Sequence, residues 1–250
     1  MKTISGNILL TTCLAASLLF FGCKKSEGPT AGTAAATGST PSQNGDPSGT
    51  YSGFLVGFYF TVSTSTLSTA FANFYSTPQS ISVNKSGTGT CHVNSVYFNN
   101  IKFKLDTTGR TYGDTTNSLV FPPAAWNVSG AGVIPSFNYT NTNPLPTYSG
   151  TGLPFTVQRS QNLTVPITGA AGYDQVIVAI DDGGPGTSVA APSSATSVTF
   201  LKDSLAKLSA SVNSAKIYVG LVKYNPQILG GKNFMFATTY YYTKLGVSIN

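Results

Sequence analysis

From Tyr51 onward the chain is a succession of short runs rich in Val, Ile, Phe and Tyr, cut by Gly and Pro. No amphipathic stretch long enough for a helix of about ten residues or more interrupts them. Such spacing restricts the chain to an all-β architecture, because each run buries one face only by packing against another sheet. Gly53–Val62 and Leu67–Tyr75 read as the first two strands. Cys91–Phe98 and Ile101–Leu105 flank Asn99-Asn100, a pair that tolerates the positive φ angles of a tight hairpin turn. In the second of these, Ile101, Phe103 and Leu105 alternate with Lys102 and Lys104, one buried face and one wet face. Ser118–Phe121, Ala125–Ser129 and Pro135–Tyr139 complete a first series.

The stretch Asn143–Pro154 holds three prolines and two glycines and reads as a boundary or a long crossing loop. A second series follows. Leu163, Val165 and Ile167 alternate with Thr164, Pro166 and Thr168, and Pro166, which has no N–H to donate, puts that strand at an edge. Gln175–Ile180 is apolar on both faces and reads as central. Ser197–Leu201 is a strand, Asp203–Leu208 a helical turn with Leu205 and Leu208 pointing inward, and Lys216–Tyr224 and Asn233–Tyr242 are long strands around a 226–232 loop. Leu245, Val247 and Ile249 form a closing strand. The expected architecture is two tandem immunoglobulin-like β-sandwiches, residues 51–145 and 146–250, with one large sandwich or jelly roll as the alternative. In the second sandwich Val176, Val178 and Ile180 are expected on a sheet facing Ile217, Val219 and Leu221.

The N-terminus has a different character. Lys2 is followed by an apolar run from Ile8 to Phe21, then Gly22 and Cys23. The run is about fifteen residues, short of the roughly twenty needed to span the hydrocarbon core, and its order of regions is that of a secretory signal peptide. Leu19-Phe-Phe-Gly-Cys23 resembles the lipobox of bacterial lipoproteins. That resemblance implies a signal peptide over 1–22, removal before Cys23, and acylation of Cys23 with thioether-linked lipid and palmitate. Residues 24–50 are dominated by Gly, Ala, Ser, Thr and Pro and cannot bury enough apolar surface to offset the entropy of ordering. They read as a flexible tether with a span on the order of 30 Å.

Cysteine usage agrees with export. On the lipobox resemblance Cys13 would leave with the signal and Cys23 would carry lipid, so Cys91 is expected to have no partner for an internal disulfide. It reads as a small buried apolar residue.

Charged residues are only 9% of the chain, and its two arginines, Arg110 and Arg159, lie far apart in sequence. With a formal charge of +6 spread without a basic stripe, the sequence offers no nucleic-acid groove. Trp126–Thr140 and Val222–Phe234 resemble segments of uncharacterised lipoproteins of the Bacteroidota, as does Cys23-Lys-Lys-Ser26. The resemblance implies an outer-membrane lipoprotein, facing the periplasm or the cell surface. The acidic run that some lipoproteins of that phylum carry after the cysteine is absent here. Asp203-Ser204-Leu205 resembles the short O-glycosylation motif of the same phylum.

Candidate chemistry is sparse. His92 is the only histidine, and alternation along a strand would turn it away from Cys91. One histidine and one untethered cysteine are too few ligands for a zinc site of the common types. Apart from Glu27 and Asp46 in the tether, the acids are Asp106, Asp114, Asp174, Asp181, Asp182 and Asp203. Asp174 and Asp181 bracket a strand, roughly 23 Å apart at about 3.3 Å per residue, too far to cooperate in glycoside hydrolysis. The 181–186 loop lacks the alternating ligands and closing glutamate of a calcium loop. No catalytic, metal or cofactor site is therefore expected, and no cofactor. The expected function is a non-enzymatic, membrane-tethered envelope protein with a structural or interaction role. The alternative is a carbohydrate-binding module using Trp126, Tyr139, Tyr148, Tyr173, Tyr224 and Tyr240–Tyr242, and an Asp-dependent hydrolase comes last.

Overall fold

In the computed structural model, residues 49–62, 65–80, 90–106, 111–114, 119–184 and 186–250 are described. The signal segment, Cys23, most of the tether, Arg110 and Ser118 lie outside them. Among the described residues no helix is long and apolar enough to cross a membrane.

The spine of the fold is a hairpin of two long strands, β14 (Ser211–Leu229) and β15 (Lys232–Ile249). Gly230 and Gly231 connect them with φ of 56° and 74°, the pair of left-handed residues that a tight hairpin turn needs. β1 (Thr50–Val62) lies parallel to β15, with Gly53 opposite Phe234 and Phe60 opposite Tyr241. β2 (Ser65–Ser80) runs antiparallel to β1, and the short strands β6 (Tyr112–Gly113) and β5 (Lys104–Leu105) finish that edge. On the other side β11 (Gln175–Asp181) pairs with β14, and β12 (Thr187–Pro192) forms the opposite edge. β9 (Thr156–Val157) adds a short parallel pairing to the end of β15, giving nine strands among the described residues.

Among the described residues two smaller sheets accompany this one. β4 (Ile101–Lys102), β3 (Ser95–Phe98), β7 (Ala124–Ser129) and β8 (Phe137–Asn141) form the first, in that order. Phe98, Trp126 and Phe137 share a core with Phe74, Phe234 and Phe236 of the large sheet. β10 (Leu163–Pro166) and β13 (Ser197–Phe200) form the second. Val165, Val198, Phe200, Leu205 and Leu208 pack there with Val176, Val178, Ile180, Ile217, Val219 and Leu221. Both cores lie on one face of the large sheet: along β15, Phe234 and Phe236 join the first and Tyr240 and Tyr242 border the second, all on even positions. The odd positions Met235, Ala237 and Tyr241 belong to a third apolar cluster with Val56, Phe58 and Phe60. Among the described residues that cluster draws only on strands of the large sheet.

The all-β sandwich class holds, and Leu205 and Leu208 point inward as expected, 0% and 3% exposed. The sheet, however, joins strands from both expected halves: β1 and β2 hydrogen-bond their way to β15 and β14. That is the connectivity of one larger sandwich rather than of two separately closed ones. Val176, Val178 and Ile180 are not on a sheet facing Ile217, Val219 and Leu221. They are their cross-strand neighbours in the same sheet, Val176 beside Leu221 and Val178 beside Val219. A period of two assigns a residue to a face but not to a partner strand, so both arrangements satisfy the sequence pattern.

Other differences are local. Residues 91–93 precede β3 rather than belonging to it, and the expected 226–232 loop is strand on both sides of Gly230-Gly231. Leu245 is exposed because the β14–β15 register shifts near Ala215, and Val247 and Ile249 return to the core.

Candidate functional site

Cys23, the expected lipid attachment residue, lies outside the described residues. The expected reactive and binding groups within them, with one group of outward polar residues, fall into four sets.

Cys91 is half-buried against the first core, and its N–H donates to Phe74 O at 3.0 Å. Burial pushes its thiol above the ordinary value, which disfavours the nucleophilic thiolate. His92 is exposed. The alternation argument does not apply, since neither residue is in a strand, yet one turns inward and the other outward.

The aspartates act as clamps. Asp174 precedes β11 and Asp181 ends it, and each reaches a lysine on β14: Asp174 to Lys223 at 2.8 Å and Asp181 to Lys216 at 3.9 Å. Asp174 also accepts from Tyr224 N–H at 2.8 Å. The Tyr218 hydroxyl donates to Asp181 at 3.3 Å, and burial together with that carboxylate raises the Tyr218 pKa. In the 181–186 loop, Asp181 accepts from Gly183 N–H and Asp182 from Gly184 N–H, while Ser209 N–H closes on the other Asp182 oxygen. The Gly183 and Gly184 contacts are a turn-forming use of aspartate, and Ser209, Tyr218 and Lys216 hold the same carboxylates from outside the loop. Asp106 and Asp203 are exposed, and Asp114 is half-buried. Among the described residues no group of three or more His, Cys, Asp or Glu side chains could hold a metal ion.

The aromatics proposed for a platform do not gather on an open face. Trp126, Tyr148, Tyr224 and Tyr241 are buried. Tyr240 stacks on Tyr59, the ring centres of Tyr139 and Phe236 are 4.0 Å apart, and Tyr242 meets Tyr148 edge-on. Tyr173 is half-buried beside the second core. Burial and neighbouring Tyr242 push the Tyr148 hydroxyl up to about 12, and it donates to Pro166 O at 3.1 Å. Phe155 is the one aromatic among the described residues in the exposed class, at 70%, and the Lys244 ammonium sits 3.2 Å over its ring. Of the Asp203-Ser204-Leu205 motif, Asp203 is exposed, Ser204 half-buried and Leu205 fully buried.

The fourth set does not stand out in the sequence. On β7 and β8 the inward residues Trp126, Val128 and Phe137 alternate with outward Asn127, Ser129 and Asn138, and Ser136 extends the outward row. Residues 127–129 and 136–138 line a depression of about 280 Å³. Asn127 Nδ2 donates to Asn138 Oδ1 at 2.6 Å, and Ser136 Oγ accepts from Gly130 N–H at 2.9 Å. Period-two alternation marks these residues as outward. What the sequence leaves open is that β7 and β8 are neighbours in this register.

No family model, curated protein or solved structure matches the chain.

Proposed function

We propose that the protein is a lipid-anchored, non-enzymatic β-sandwich protein of the bacterial envelope, with a structural or interaction role. The observation that carries this is Leu19–Cys23, a lipobox-like segment at the end of an apolar run too short to span a membrane. The Gly, Ala, Ser, Thr and Pro composition of residues 24–50 supports it, since a sequence of that composition and length suits a spacer between a lipid anchor and a folded domain. A non-enzymatic role is favoured by the engagement of Asp174, Asp181 and Asp182 in ion pairs and loop hydrogen bonds. The test is metabolic labelling with an alkyne fatty acid in a bacterial host. The wild-type chain incorporates label and fractionates with membranes, and Cys23→Ala does neither. A Cys23→Ala protein that still labels and sediments with membranes refutes the anchor.

A further inference from the structure

The outer face of the four-stranded sheet combines three properties that together specify a ligand chemistry. The first is register. Tyr97, Asn127 and Asn138 lie side by side across β3, β7 and β8, and Ser95 and Ser129 form the next row. Val96 and Phe98 point into the core, so Tyr97 presents its half-buried ring on the outer face. Cross-strand neighbours stand about 5 Å apart and next-nearest residues along a strand about 7 Å apart. Several hydrogen-bonding groups therefore meet one ligand ring at once.

The second is charge. Among the strand residues of that face only Lys102, beyond Tyr97, is charged, and none lines the depression. A phosphate, a carboxylate or a cation finds no counter-charge there. The third is valence. With Asn127 Nδ2 spent on Asn138 Oδ1, the Asn127 carbonyl still accepts and the Asn138 amide still donates. Ser129 and Ser136 add hydroxyls that do either. A neutral ligand rich in hydroxyl groups satisfies this mixture, and the half-buried Tyr97, cross-strand neighbour of Asn127 just outside the residues that line the depression, puts an aromatic ring at its border. The depression holds about 280 Å³. That is a shallow recess, below the roughly 300–1,000 Å³ of an enclosed ligand site, and it suits a sugar ring resting on the sheet rather than one buried in it.

We infer that this face, centred on Asn127 and Asn138 and bordered by Tyr97, is a binding site for a neutral glycan. The site is independent of the lipid anchor and of the aromatics that the sequence offers for a platform.

The full-length protein, solubilised in detergent, is run in native gels containing dextran, mannan, xylan or laminarin, beside gels containing the acidic polymer alginate. At least one neutral polymer retards the wild type. The Asn127→Ala/Asn138→Ala double variant weakens that retardation at least tenfold, as does Tyr97→Ala. Thr164→Ala/Thr199→Ala, on the comparably polar pair of strands β10 and β13, leaves it unchanged. The Asn and Thr positions are exposed and Tyr97 is half-buried, and equal urea midpoints verify folding. Retardation by no neutral polymer overturns the inference. So does retardation by alginate alone, or retardation that survives both the Asn and the Tyr97 variants.

Discussion

Gly220 on β14 lies directly opposite Tyr241 on β15, and a Cβ added there would fall 2.5 Å from Tyr241 Cε1 and 3.1 Å from Cδ1 and Cζ. Ordinary carbon contacts begin at about 3.5 Å, so the ring must retreat by about 1 Å. It has little room to do so. Tyr241 is fully buried and stacked on Phe60, with ring centres 5.0 Å apart and planes 9° apart, and the Phe58 ring lies 6.0 Å away. Overpacking of this kind costs about 1–3 kcal/mol, and losing a glycine's freedom in the unfolded chain returns about 0.4–1 kcal/mol. Gly220→Ala is therefore destabilised by about 1–2 kcal/mol net. With a urea slope of about 2–3 kcal/mol/M for a domain of this size, the midpoint falls by about 0.5 M. The cause is separable from β-propensity by a double-mutant cycle. Gly220→Ala in a Tyr241→Leu background loses most of its penalty, because the ring it strikes is gone, and a coupling of about 1 kcal/mol results. An unchanged or raised midpoint for Gly220→Ala, or strict additivity in the cycle, refutes the reasoning.

Three further outcomes are expected. The Tyr241 hydroxyl is buried without a hydrogen-bond partner among the described residues, so Tyr241→Phe is neutral to stabilising by about 1 kcal/mol in urea melts, whereas a loss of stability would mean that the hydroxyl is satisfied. Val219→Ala, at a fully buried site in the second core, costs about 1–3 kcal/mol through lost burial and an incompletely collapsed cavity, and an unchanged midpoint would remove Val219 from that core. For Asp182, partial burial pushes the carboxyl up, but the N–H groups of Ser209 and Gly184 outweigh it and hold the pKa below the ordinary value. The contribution to stability is present above the unfolded value of about 4 and is lost as pH falls through the lower folded value. The Ser209 amide resonance reports this with a midpoint below that of a free aspartate, and a midpoint at or above about 4 contradicts it.

The strands were legible where one residue in two is apolar. Ala124–Ser129 and Ser197–Phe200 fall within a residue of their expected bounds, and Asn99 and Asn100 take the left-handed conformation expected of them. Neighbour relations were not legible. Ile101–Leu105 reads as one strand, yet it breaks at Phe103: Ile101-Lys102 pairs with β3 and Lys104-Leu105 with β6 in the other sheet. The sequence alternation is the same on both sides of the break, so the pattern carries no trace of it, and Leu105, expected on the buried face with Ile101 and Phe103, is exposed after it. Pro226 reads as loop because it donates no ladder bond. It lies inside β14 opposite Met235, beyond Val222, where the pairing with β11 ends and the other edge of β14 needs no donor. The aromatics were legible as strand formers but not as buried or open. Tyr97 and Asn138 gain significance only because β3, β7 and β8 are adjacent.

The pairing of β1 with β15 makes one last expectation sharp. Leu55 and Phe236 are partners from opposite ends of the folded chain, a closure of the non-local kind that delays folding. Phe234 and Phe236, 0% and 1% exposed, sit in the core of the first series of strands, where Phe137 lies 4.6 Å from Phe234 and Tyr139 4.0 Å from Phe236 between ring centres. A fragment spanning residues 49–145 lacks both rings and leaves one side of β1 without its neighbour strand. Removing a buried Phe costs about 3–5 kcal/mol, so the pair alone removes about 6–10 kcal/mol, against a typical total of about 5–15 kcal/mol. The fragment should therefore show no cooperative urea transition, no dispersed amide spectrum and fast hydrogen exchange throughout. Adding residues 146–250 as a separate chain should restore the transition, because the missing strand is supplied in trans. A fragment that unfolds cooperatively by itself would mean that the first sandwich closes its own core, and that its pairing with β15 is an addition to a finished domain.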